Sequence, residues 1–144
     1  MQDMGLFNAT TMRQAAKAGA STAVVSAVRQ ASASTGVDFS YLLEKAAVES
    51  GFNPNAKAAT SSATGLYQFT DSTWLSVLQA HGAQHGLGAL ASEITSGPDG
   101  APAVSNAADL QKILALRTDP EIAASMAAEL AKDNKAALQS IVGG

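Results

Sequence analysis

Apolar side chains recur at helical spacing in several separate stretches of the chain, and each stretch is bounded by residues that start or stop helices. From Met12 to Ser34 an alanine-rich segment with Val24, Val25 and Val28 as its stripe predicts a first helix, which Thr35-Gly36 ends. Asp38 or Ser40 can cap a second helix whose Tyr41-Leu42-Leu43 and Ala46-Ala47-Val48 supply a buried face, with Gly51 placed as its left-handed stop. Asn53 to Thr64 has no hydrophobic period and predicts a loop. Thr70 or Asp71 can cap a third helix carrying Trp74, Leu75 and Leu78 and ending near His81-Gly82. From His85 to Ala107 the pattern gives loops with one short helical turn, and Gly97-Pro98-Asp99-Gly100 is a turn signal. A short helix follows over Asp109–Leu116. Thr118-Asp119-Pro120-Glu121 then opens a last helix, with Ile122, Met126, Leu130, Leu138 and Ile141 along it. No alternating strand pattern longer than a few residues and no internal repeat is present. The fold class is all-α, with residues 1–11 a lead-in and 12–144 one domain.

Composition narrows the function classes. The chain has 144 residues, enough for one core, and 47% hydrophobic residues of which many are alanine, a helix former that lets helices approach closely. A net charge of −3 and the lack of a basic cluster exclude nucleic acid as the partner. No cysteine is present, which excludes disulfides and thiolate metal sites. No apolar run reaches the roughly 20 residues that span a bilayer. Ala18 to Val28 follows Arg13 and Lys17 as a secretory signal would, but Ser21, Thr22 and Ser26 interrupt it and it reads as helix.

One carboxylate stands out. At 100° per residue Glu49 falls about 20° from Leu42 and about 60° from Ala46, at the border of the buried face, whereas Glu44 points away. A half-buried place in the last turn, at the negative end of the helix, favours a carboxyl group that keeps its proton. That is what a glycosidic general acid needs. Taken alone, the position suits an ordinary surface glutamate as well. His81 and His85 have helical metal-ligand spacing but no acid between them and no third ligand, so no metal site is expected. Asp71 reads as a helix-start residue, and Trp74 as core.

Glu49-Ser50-Gly51-Phe52-Asn53-Pro54, followed after a loop by Gly65-Leu66-Tyr67-Gln68, resembles the soluble lytic transglycosylase family, lysozyme-like enzymes that cut peptidoglycan glycan strands. The resemblance covers roughly residues 37–74. It implies a lysozyme-like helical domain with long loops around a glycan cleft, Glu49 as the catalytic residue, and Ser50, Phe52, Asn53, Ser61, Tyr67 and Gln68 as substrate-binding residues. It implies no cofactor and a periplasmic location, with export depending on something outside this sequence. The partners are peptidoglycan strands, with a flagellar or secretion assembly as a further class. By resemblance the β-1,4 bond between N-acetylmuramic acid and N-acetylglucosamine is cut to a 1,6-anhydro product. A muramidase that uses water, with Asp71 to position it, and a non-catalytic wall-binding module are the alternatives. Two departures are visible: Ala58 stands where many members have serine, which brings Thr60, Ser61 or Ser62 into question, and no tyrosine follows Tyr67 although the family usually has one that contacts the acid. The expected domain is therefore one that is truncated, or closed differently, at its C-terminal side.

Overall fold

The computed structural model describes residues 19–142. The lead-in over 1–11 and the predicted helical residues 12–18 lie outside that range. Six α-helices dominate the described residues: α1 Thr22–Thr35, α2 Phe39–Ser50, α3 Asp71–His81, α4 Gly88–Ala91, α5 Ala107–Ala115 and α6 Pro120–Val142. Single 3-10 turns follow α3 at Gly82–His85 and α5 at Leu116–Thr118. The all-α class is therefore correct.

Local chemistry sets the boundaries. Ser21, Asp38, Thr70 and Asn106 each accept a hydrogen bond from a backbone N–H three residues on, which satisfies donors that a helix start leaves open. Asp119 does the same for α6, accepting from the N–H groups of Glu121 and Ile122. Gly36 and Gly51 end α1 and α2 in the left-handed conformation. The cap at Asn106 starts α5 earlier than apolar spacing alone suggests.

The segment predicted as loops holds more order than expected. Thr95–Ser96 pairs antiparallel with Pro102–Ala103 around the Gly97–Gly100 turn. Strands of two residues cannot show an alternating pattern, so the turn signal is the part that sequence can reveal.

The core is built by alanine and valine. Val24, Val25, Val28 and Ala31 of α1 pack along Ala123, Ala124, Met126 and Ala128 of α6, where small side chains let two long helices approach. Leu42, Leu66, Trp74, Leu78 and Ile113 fill the centre with no accessible surface. The Trp74 indole donates to the Ile113 carbonyl at 2.8 Å, so its one polar atom is satisfied in the core. No helix among the described residues is long and apolar enough to cross a membrane.

Candidate active site

Two short segments meet at the end of α2. The Ser50 hydroxyl donates to the Leu66 carbonyl at 2.7 Å, which ties the last turn of α2 to the Gly65–Gln68 segment. The next two residues, Gly51 and Phe52, both take left-handed φ values of 60° and 66°, and turn the chain sharply away. Phe52 offsets the cost of that conformation by burying its ring. Asn53 accepts from the Asn55 N–H at 2.9 Å and lies exposed at the surface.

The second segment is a tight loop. Gly65 donates to the Ala56 carbonyl at 2.8 Å, and Thr64 to the Phe69 carbonyl at 3.0 Å. Gln68, at a left-handed φ of 54°, uses both amide hydrogens internally, donating to the carbonyls of Ala56 at 3.1 Å and Gly65 at 2.9 Å. Its side-chain carbonyl oxygen is therefore the atom left for a ligand. Leu66 is fully buried. Tyr67 is buried too, and its hydroxyl donates to the Leu42 carbonyl at 2.9 Å. Burial, then the nearby Tyr41, pushes the Tyr67 pKa well up, so the phenol stays a neutral donor.

These segments frame a hollow of roughly 210 Å³. Glu49 and Lys45 line it from α2, Tyr67 and Gln68 from the loop, and Leu130 and Asn134 from α6. Glu49 keeps 35% of its side-chain surface accessible, and its carboxylate lies 3.7 Å from the Lys45 ammonium. Glu44 is exposed and outside the hollow. Tyr41, half exposed, lines the end of the hollow nearer the start of α2.

Ser61 is placed elsewhere. With Ser62, Asp71 and Arg117 it lines a second hollow on the far side of the loop. The Asp71 carboxylate there lies 2.8 Å from the Arg117 guanidinium.

Arg117 is the residue that sequence reasoning missed. It is buried, and besides Asp71 it donates to the carbonyls of Leu114, Ser62 and Phe69 at 2.9, 2.9 and 3.0 Å. It thus holds both ends of the Gly65–Gln68 loop from below. Arg117→Met should lower unfolding stability by about 3 kcal/mol, because one buried carbonyl, two partly buried ones and a carboxylate lose their donor. Urea unfolding of the variant would read this directly as a lower midpoint at constant slope.

His81 at the end of α3 and His85 in the 3-10 turn after it both reach α6. The His85 Nε2 lies 2.7 Å from the buried Glu129 carboxylate, and the His81 Nε2 lies 2.7 Å from Asp133. Burial alone would lower the His81 pKa; hydrogen bonds to Asp133 and Gln84 and the charges of Asp133 and Glu129 outweigh it and raise the value above 6.5. The pairs fix the helix that forms the wall opposite Glu49.

A carboxylate at the end of one helix and a tight glycine loop thus line one hollow of a helical domain, the arrangement expected of a ligand cleft. Residues 26–85 match the family model described as the transglycosylase SLT domain, a span that includes Glu49 and the whole Gly65–Gln68 loop. Over that span the chain is similar to the transglycosylase SLT domain.

Proposed function

We propose that Glu49 alone supplies the acid and base chemistry for cutting the β-1,4 bond between N-acetylmuramic acid and N-acetylglucosamine. The observation that carries this reading is that Glu49 is the one carboxylate among the described residues lining its hollow. In the first step the Glu49 carboxylic acid gives its proton to the glycosidic oxygen as the C1–O bond breaks. Its carboxylate then takes the proton from the muramic C6 hydroxyl while that oxygen bonds to C1. The product is a 1,6-anhydro ring, and Glu49 is returned in its acid form.

Such an internal attack needs no positioned water and no second carboxylate, since the nucleophile is already on the sugar. Tyr67 and Gln68 support the cleft from the loop side, the glutamine through its free carbonyl oxygen, which can accept from a sugar hydroxyl or an acetamido N–H. Ser50 and Phe52 act through the backbone, by setting where Glu49 and the loop stand. The substrate places the action outside the cytoplasm, in the periplasm, where the wall lies. A flagellar or secretion assembly is the further partner class of this proposal.

Hydrolysis by a muramidase would require a second carboxylate to hold water. Asp71, the candidate for that role, is engaged by Arg117 in the other hollow. Asp71→Asn should leave the initial rate of wall solubilisation within about threefold of the parent, because an amide keeps the shape and one acceptor for Arg117. A loss of the ~10²-fold expected for a missing catalytic base would establish Asp71 as a participant.

A further inference from the structure

The Glu49 hollow continues into a second, larger one of roughly 560 Å³, between the loop that opens α2 and the last turns of α6. The two share Tyr41, Ala131 and Asn134 as lining residues, so a ligand in the first reaches the second without leaving the surface. We propose that this second hollow binds the acidic peptide stem of the muramic residue that is cut at Glu49. The inference rests on the reading of Glu49 given above and names a site for another part of the same substrate.

Its chemistry differs from that of the glycan end. Lys132 and Lys135 line it from α6. Lys132 has 52% of its side chain accessible and approaches the buried Glu129 carboxylate only to 3.9 Å, a long contact to a group that His85 already holds at 2.7 Å, so its ammonium can turn to another carboxylate. Lys135 forms no ion pair among the described residues. The acid in this hollow, Asp38, has its carboxylate committed to the Tyr41 N–H at 2.9 Å as the cap of α2. Between the charges lie Val37, the half-exposed Tyr41 and Leu138, which is 62% exposed.

A glycan strand offers hydroxyl and acetamido groups and has no use for two ammonium groups. The stem, joined to the lactyl ether of muramic acid, carries methyl side chains and free carboxylates. Aliphatic surface flanked by lysines suits that combination, through burial of the methyls and charge pairing at the rim. Because the stem branches from the sugar whose bond is broken, a site for it must open beside the Glu49 hollow, as this one does.

The test is a titration of N-acetylmuramyl-L-alanyl-D-glutamate into the full chain, followed by amide chemical shifts, alongside the neutral, N-acetylated chitotriose. Wild type should show shifts at Val37, Tyr41 and Leu138 with the muramyl dipeptide, and the affinity should fall as salt is added. Lys132→Ala/Lys135→Ala should bind it about fivefold more weakly, the loss expected for two exposed ion pairs, and should bind the N-acetylated chitotriose like the parent. Equal affinity of parent and variant for the dipeptide would overturn the proposal. So would chitotriose shifting the same residues and weakening equally in the variant, which would make the hollow a glycan subsite. The readout is binding, so loss of the dipeptide shifts with wall cleavage intact would sink this proposal and leave the Glu49 reading standing, whereas wall cleavage unchanged in Glu49→Gln would sink the Glu49 reading and with it the link between this hollow and the residue that is cut.

Discussion

Replacing Glu49 with glutamine should reduce wall-cleaving turnover by about a hundredfold or more while leaving the chain folded. An amide can neither give the glycosidic oxygen a proton nor take one from the C6 hydroxyl, so both halves of the proposed step fail together. Folding should survive because the Glu49 side chain is partly open and its ion pair is the 3.7 Å contact to Lys45, one turn away on the same helix. Exposed pairs of that kind contribute about 0.3–0.5 kcal/mol. Glu44→Gln is the matched control. It alters an exposed carboxylate on the same helix, outside the hollow, and should keep the rate within about twofold, as surface substitutions away from a site usually do. Turbidity loss of a wall suspension, with circular dichroism for fold, reads both variants.

The largest effect on stability is expected at Gly65. Its φ of +89° is one that side chains rarely adopt, and an added Cβ would lie 2.1 Å from the Arg117 carbonyl oxygen. A backbone atom cannot swing aside as a side chain would. The strain of the conformation and the overlap each cost about 1–3 kcal/mol, so Gly65→Val should lose about 4 kcal/mol. For a chain of this size that lowers Tm by roughly 10 °C or more. Activity should fall with it, because the displaced loop carries Tyr67 and Gln68. A variant that melts within a degree or two of the parent would show that the loop can move away from Arg117.

Much of the site's framework is legible in the amino-acid sequence. The helices around it announce themselves through their ends: Asp38 and Gly51 for α2, Thr70 for α3, and the Asp119-Pro120 start of α6 all act as their side chains suggest. Two motifs close in sequence also imply that Glu49 and Gln68 share a neighbourhood, and both line one hollow. What escapes depends on contacts between distant residues. Arg117 reaches Ser62 and Phe69, 55 and 48 residues away, and nothing around it in sequence distinguishes it from a surface arginine. The wall supplied by Leu130 and Asn134 depends on how α6 is rotated against α2, which periodicity does not fix. The expectation for Ser61 rests on Ala58 standing where many members of the family have serine. The Arg117 anchor turns that stretch of the loop to the other face, so Ser61 sits beside Asp71.

Gln68 shows how sequence can indicate a position without its duty. The family pattern suggests a sugar-binding amide, yet both of its hydrogens hold the loop closed. That arrangement helps to maintain the left-handed backbone at Gln68 itself, a conformation uncommon outside glycine.

The most direct measurement is mass spectrometry of the muropeptides released from purified peptidoglycan by the wild-type chain. Fragments ending in 1,6-anhydro-muramic acid, lighter by one water than hydrolytic fragments, are the predicted result. Reducing-end muramic acid as the main product would contradict the account, since it would show that water attacks the sugar in a cleft assigned to Glu49 alone.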